Sequence, residues 1–142
     1  MLLQQLNRSD AEKVFVVGQN VSTATLNGNT LVCWEGVIAA VASYGNAFQD
    51  PITSNLSLFA GVLDADVATM GYGLIQVYGA RTSIAANVAT AVSISCAGEI
   101  LGPAAASVSG QSNGKSFQFG PIVVLDNAAS GSTYVRGFIR AL

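Results

Sequence analysis

The sequence predicts an all-β protein: an antiparallel β-sandwich or β-barrel of short strands, preceded by an extended N-terminal arm. Short runs in which apolar and polar residues alternate recur along the chain, and this period of two is typical of half-buried strands. Clusters of Gly, Asn, Asp and Ser separate the runs and predict turns. No long apolar stripe has the helical period of 3.6. The 142 residues suffice for one domain, which we assign to residues 13–142, with the arm at residues 1–12.

The runs in the first half of the domain differ in how their faces are expected to be covered. Residues 14–17 are apolar at every position, which predicts a strand covered on both faces. In residues 56–63, Phe59 and Leu63 are expected on one face. The opposite face is expected to carry Leu56, Leu58, Ala60 and Val62. Residues 74–78 form a further apolar run with β-branched side chains and predict another strand.

The second half contains shorter alternating runs. Residues 92–96 and 116–119 alternate Ser or Gln with apolar side chains, and residues 121–125 are rich in β-branched residues. In the last strand, Val135 and Ile139 are expected to face the core. The outer face would then carry Tyr134, Arg136, Phe138 and Arg140.

Turn and loop signals lie between these runs. They occur at residues 27–29, 44–46, 71–73, 112–114 and 126–131, and residues 102–114 have the composition of an exposed loop. Two short segments are the best helix candidates, residues 64–70 and 85–91, the first because Asp64 or Asp66 can cap one turn.

The composition argues against several classes of function. Hydrophobic residues make up 51% of the chain and charged residues 10%, compared with about 25% charged residues in ordinary soluble domains. Six Lys and Arg against eight Asp and Glu do not form the basic surface that nucleic acids require, so we expect no nucleic-acid partner. The chain contains no His, the commonest general base and metal ligand.

The remaining candidate chemical groups are interpreted as structural. Asp64 and Asp66 lack the further oxygen ligands of a Ca²⁺ site and are expected to cap a turn or a helix. Cys33 and Cys96 do not complete a structural zinc site without His. The sequence leaves open whether these two cysteines form a disulfide or remain two buried thiols. The lack of an export signal favours thiols. We therefore expect no enzymatic activity, no catalytic residue, no metal and no cofactor.

The mean hydropathy of +0.48 raises the question of a membrane protein. The purest apolar run covers residues 37–42, whereas a membrane-spanning helix needs about 20 apolar residues. The N-terminus, MLLQQLNRSD, lacks the charged region and long apolar core of a signal peptide. We expect a soluble protein with no membrane partner.

The outer face of the last strand has the composition of a protein interface. Aromatic and arginine side chains are enriched in interfaces, and Tyr134, Arg136, Phe138 and Arg140 supply both kinds. The alternative is an ordinary surface on which arginine stems cover aromatic rings. The low content of charged residues likewise has two explanations. Other subunits cover much of the surface, or the chain has a large core and a surface of Ser, Thr and Asn.

The N-terminal arm carries a second candidate interface. Leu2, Leu3 and Leu6 precede a charged spacer at residues 8–13, which predicts that they pack on a neighbouring chain. The alternative is a frayed terminus. Deletion of residues 1–9 is expected to leave the thermal melt of the domain nearly unchanged.

Three segments carry a resemblance to a known family. They are residues 14–22 with 31–35, residues 58–62 with 71–79, and residues 135–142; the block Tyr-Gly-Leu-Ile-Gln-Val-Tyr-Gly at 72–79 and the Ala-Gly-Val strand at 60–62 are the most telling parts. These segments resemble the capsid decoration, or cement, proteins of tailed bacteriophages.

The resemblance implies a structural virion protein, made in the host cytoplasm, that binds the outer surface of an assembled phage capsid and clamps neighbouring capsid subunits. The implied partners are the major capsid protein and the chain itself, as a homotrimer. Loss of the arm would then lower occupancy on the particle or loosen the trimer. Two other classes stay open: another virion subunit, such as a tail or head-fibre component, and a carbohydrate-binding β-sandwich adhesion module.

Overall fold

A computed structural model describes residues 12–35, 46–86, 98, 100–104, 107–112, 121–126 and 134–141. Every regular element in these ranges is a β-strand, which confirms the all-β prediction. The strands are β1 (Val14–Asn20), β2 (Leu31–Trp34), β3 (Ala47–Gln49), β4 (Phe59–Leu63), β5 (Tyr72–Ala85), β6 (Ile100–Ala104), β7 (Ser107–Ser112), β8 (Ile122–Val124) and β9 (Tyr134–Arg140).

Five of the described strands close into a barrel. In the order β1-β3-β2-β4-β5 each strand is hydrogen-bonded to the next, and β5 returns to pair with β1. The pairings are antiparallel, apart from the parallel pair of β1 and β3. Apolar side chains from these strands and their loops fill the barrel core: Leu26, Val32, Phe48, Ala60, Leu63, Val67, Ile75 and Val77.

The long strand β5 joins the barrel to a second layer. Its 14 residues continue past the barrel, where β9 pairs with its second half and the sheet extends through β8, β6 and β7. A second core lies between this extension and the outside of β2 and β4, where Leu31 and Val62 belong to the same buried cluster as Ile84, Ile122 and Ile139. Of the two predicted architectures the described residues therefore form the barrel, with further strands that continue its sheet and pack on one side of it.

The buried Arg81 side chain ties β5 to the turn between β1 and β2. Its guanidinium donates to the Asn29 Oδ1 atom at 2.8 Å, to the Leu63 carbonyl at 2.9 Å and to the Gln76 Oε1 atom at 3.1 Å. It also forms an ion pair with Asp64, at 3.1 Å. Asn29 has a positive φ of 66°, so this network holds a turn conformation that few residues other than glycine adopt.

The side chains of β4 do not alternate as predicted. Ala60 lies in the barrel core and Val62 in the second core, although the sequence placed both on one face. The pattern breaks at Gly61, where φ is 149° and the register with β2 shifts. A Cβ at Gly61 would lie 2.3 Å from the Gln76 carbonyl oxygen. A β-bulge of this kind moves the following side chains to the opposite face. Leu56 and Leu58, which the sequence placed on the same strand, lie before its first residue.

The prediction of a helix at residues 64–70 is wrong. Val67 instead forms an isolated bridge with Leu26, with reciprocal backbone hydrogen bonds of 2.8 and 3.0 Å. The Asp66 carboxylate accepts a hydrogen bond from the backbone N–H of Gly28. Asp66 therefore stabilises a turn, and Asp64 pairs with Arg81. A seven-residue helix is too short to form without strong tertiary support.

Two other predictions of irregular structure need correction. The turn predicted at 71–73 lies slightly earlier, at Met70 with a φ of 61°, and β5 begins at Tyr72. The loop predicted at 102–114 is an antiparallel hairpin of β6 and β7 as far as Ser112, and β6 is also paired with β8. Pro103 lies at a register irregularity of that hairpin, a position where a residue without an N–H is tolerated in a sheet.

Several predictions fall on residues outside the described ranges. They are the arm at 1–11, the strands at 92–96 and 116–119, most of the helix candidate at 85–91, and the turn signals at 44–45, 113–114 and 127–131. Ala85, at the start of that helix candidate, is the last residue of β5.

Candidate protein interface

The outer face of β9 has the alternation that the sequence predicts. Val135 and Ile139 are buried in the second core, whereas the residues between them point away from it. We call these outward residues the arginine patch: Tyr134, Arg136, Phe138 and Arg140. Tyr134, Arg136 and Arg140 are exposed and Phe138 is half-buried. Their role as an interface stays a prediction.

Arg136 is held in place on this patch by an ion pair. Its guanidinium donates to both carboxylate oxygens of Asp126, which follows β8. This hydrogen bond, together with the charge attraction, holds the pKa of the Asp126 carboxyl below its ordinary value. The pair presents a planar, bidentate group at the surface beside the aromatic rings.

A second exposed patch lies on β1 and β5, where the sequence predicted coverage on both faces. Val16 packs against the barrel core, but its neighbours Phe15 and Val17 are exposed. In the register of the two strands Val17 lies opposite Leu74. The exposed fractions of these two side chains are 57% and 46%, and that of Tyr72 is 63%. We call Phe15, Val17, Tyr72 and Leu74 the apolar patch.

The prediction of two-sided coverage fails for a topological reason. The second sheet packs on the outside of β2 and β4, so it covers only that part of the barrel. The outside of β1 and of the first half of β5 has no described layer above it. The signal in the sequence is ambiguous, because β1 is apolar on both faces and only the sheet order decides which face is covered.

Tyr78 joins the two patches into one continuous face. It is the register partner of Val14 on β1 and of Arg140 on β9. Its ring packs edge-on against that of Phe138, with the ring centroids 5.1 Å apart. We call the two patches together with Tyr78 the outer face. Contiguous exposed apolar side chains of this kind mark interaction sites, whereas isolated ones are ordinary.

The other sequence-predicted site residues, Leu2, Leu3 and Leu6, lie outside the described residues. Sequence reasoning missed Phe15, Val17, Tyr72, Leu74 and Tyr78 as candidate interface residues. The alternation of Tyr72, Leu74 and Tyr78 with Gly73, Ile75 and Val77 was a signal for them.

The described residues with reactive side chains include one cysteine and several carboxylates. Cys33 is a free thiol in the barrel wall, and burial, aided by the nearby charge of Asp50, raises its pKa to about 12. Such a thiol is inert, because the thiolate is the nucleophile. Within the described ranges no group of three or more Cys, Asp or Glu side chains is placed to hold a metal ion. Nor does this part of the chain contain a helix of the length and hydropathy needed to span a membrane.

No protein-family model matches the chain, and no curated protein matches it.

Proposed function

We propose that the protein is a structural virion protein that binds the outer surface of an assembled phage capsid, with the outer face, and mainly its arginine patch, as the docking surface. The observation that carries this proposal is the continuity of the exposed aromatic, aliphatic and arginine side chains across β1, β5 and β9. Interfaces draw most of their binding energy from a few anchors of these residue types.

The construction of the outer face suits docking onto a large partner. Each of its three strands is hydrogen-bonded to a neighbour on both sides: β1 to β3 and β5, β5 to β1 and β9, and β9 to β5 and β8. The pairing of β1 with β3 covers only Gln19 and Asn20 among the described residues, and on the rest of this face we expect a partner to be recognised through side chains. Because the sheet is already ordered, binding does not require the folding of a loop, which lowers its entropic cost.

The sequence supports the same function in two further ways. Three segments resemble capsid decoration proteins, including residues 72–79 and 135–142, which form much of β5 and β9. The low content of charged residues fits a chain with much of its surface against other subunits. On this proposal the chain is a homotrimer whose outer faces clamp neighbouring capsid subunits.

The test uses capsids assembled from the major capsid protein of the same genome without this chain. Purified wild-type chain should cosediment with these capsids at a fixed stoichiometry. Tyr134→Ala combined with Arg140→Ala should raise the dissociation constant at least about 30-fold, since interface hot spots contribute about 2 kcal/mol or more. The matched control is Ile52→Ala combined with Leu58→Ala, two exposed apolar residues outside the outer face, which should bind like wild type.

Three results would overturn the proposal. One is a wild-type chain that does not bind the capsids. Another is a Tyr134→Ala/Arg140→Ala variant that binds as tightly as wild type. The third is specific glycan binding that the same variant abolishes, which would assign the outer face to an adhesion module.

A further inference from the structure

We propose that the apolar patch is the receptor for the leucine-bearing arm of a second copy of this chain. The occupant would be residues 1–11 of a neighbouring protomer, with Leu2, Leu3 and Leu6 as anchors. This inference concerns cohesion between copies and does not depend on capsid binding, which we assign mainly to the arginine patch.

The patch has the chemistry of a site for an apolar segment. Phe15, Val17, Tyr72 and Leu74 carry no charge, and three of the four have large exposed fractions. One edge of β1 is paired with β5 from Val14 to Gln19, and the other edge is paired with β3 at Gln19 and Asn20. Because the patch consists of outward-pointing side chains, we expect an incoming segment to pack by its own side chains across this face.

The arm has the complementary chemistry. Met1, Leu2, Leu3 and Leu6 are apolar, the residues between them are uncharged glutamines, and the first charge is at Arg8. The apolar anchors therefore precede a charged spacer, residues 8–13, that links them to the barrel. Burying such side chains on an uncharged apolar surface is favourable, whereas leaving both in water is not.

The point where the arm leaves the barrel favours a neighbour over the same chain. The Glu12 carbonyl packs against Gly79, so closely that a Cβ at Gly79 would lie 2.1 Å from its oxygen. From this point β1 runs across the patch in the direction from Phe15 to Val17. To cover its own patch the arm would have to reverse direction within residues 7–11. Without a reversal it leads away from that patch.

The arm is long enough to reach a second copy. At about 3.3–3.6 Å per extended residue, Leu6 lies up to about 20 Å from Glu12, and Leu2 up to about 35 Å. A domain of this length has a radius of gyration of about 14 Å. In a cyclic oligomer each arm would fill one patch and each patch would receive one arm, so that the exchange closes on itself.

Photo-crosslinking of mixed isotopic forms tests this directly. Full-length chain with p-benzoylphenylalanine in place of Leu6 is prepared with ¹⁴N and with ¹⁵N, and the two forms are mixed, dissociated and reassembled. Irradiation should join the peptide of residues 1–8 to the peptide that contains β1 and β5. About half of these crosslinks should combine one ¹⁴N and one ¹⁵N peptide.

Two sets of variants test the energetic contribution. The arm variant Leu2→Ser/Leu3→Ser/Leu6→Ser and the patch variant Val17→Ser/Leu74→Ser should each raise the dissociation constant of the oligomer at least about ten-fold. Combining them should cost little more than either alone, because both remove the same contact. Ile52→Ser/Leu58→Ser is the matched control and should keep the wild-type mass in sedimentation.

Each other outcome counts against the proposal. Crosslinks only between peptides of the same isotope would place the arm on its own barrel. Crosslinks only to capsid protein on particles would assign the arm to the capsid. A monomeric wild-type chain, or an additive loss in the combined variant, would also overturn it. A failure of capsid binding with mixed-isotope crosslinks intact would refute the proposed function and leave this inference standing.

Discussion

The ring of Tyr78 packs edge-on against the ring of Phe138, with their centroids 5.1 Å apart and their planes at 85°. The contact crosses from β5 to β9 at the point where the barrel strand continues into the second sheet. It therefore links the two exposed patches and also fixes the orientation of two rings that the outer face presents.

This aromatic contact should be measurable as a coupling energy. In a double-mutant cycle with Tyr78→Leu and Phe138→Leu, urea denaturation should give a coupling of about 0.5–1.5 kcal/mol, as expected for an edge-to-face pair. Leucine keeps most of the apolar contact, so the cycle isolates the ring–ring term. A coupling of zero would mean that the rings contribute only by covering apolar surface.

Arg81 should be far less tolerant of a conservative change than Arg136. Arg81→Lys removes the planar fork that bonds Asn29, Leu63 and Gln76, and only 9% of the Arg81 side chain is exposed. We expect a loss of about 2–4 kcal/mol in the free energy of unfolding, because buried acceptors lose charged donors. Arg136→Lys, at the exposed Asp126 pair, is the control and should change stability little. Equal effects of the two changes in urea denaturation would contradict this assignment.

We expect replacement of Gly61 by alanine to destabilise the fold and replacement of Gly102 by alanine to be tolerated. Gly61→Ala adds a Cβ that would lie 2.3 Å from the Gln76 carbonyl oxygen, at a φ of 149°. We expect a cost of about 2–5 kcal/mol from backbone strain and overpacking. A Cβ on Gly102 meets no described atom within 4 Å, so Gly102→Ala should stay within about 1 kcal/mol of wild type. Thermal melts of the two variants provide the comparison, and a similar loss in both would argue against the bulge at Gly61.

The buried Cys33 thiol should make stability depend on pH at the alkaline end. Its pKa rises from an ordinary 9.0 to about 12 in the folded chain. Below pH 9.0 the thiol keeps its proton in both states. Above it the unfolded chain releases a proton that the folded chain retains, so the contribution to stability is lost as the pH rises toward about 12.

The measurement is the difference in unfolding free energy between wild type and Cys33→Ala, which removes the background of Lys and Tyr titration. This difference should fall between about pH 8 and pH 10.5, by at most about 1.4 kcal/mol per pH unit. A difference that does not change with pH would mean that the thiol is solvated. In the folded chain below pH 9.0, alkylation of Cys33 should be slow and should require unfolding.

The sequence by itself determined the strand class and one surface. Period-two alternation is a local property, and wherever one face is clearly polar it indicates the side that points outward. In β9 this was sufficient: Val135 and Ile139 are buried and Tyr134, Arg136 and Arg140 are exposed, as their spacing predicts. The absence of a helical stripe likewise agreed with a fold whose described elements are all strands.

Only the tertiary structure decided what covers each face and where alternation breaks. Phe15 and Val17 are as apolar as Val16, yet only Val16 packs against the barrel core, because closure of β1 against β5 fixes the inside and the second sheet covers β2 and β4 instead. The break at Gly61 and the strand at Pro103 depend on strands distant in sequence. Composition and periodicity record what each residue prefers locally, whereas burial depends on which strands pair, and that is set by contacts between residues far apart in the chain.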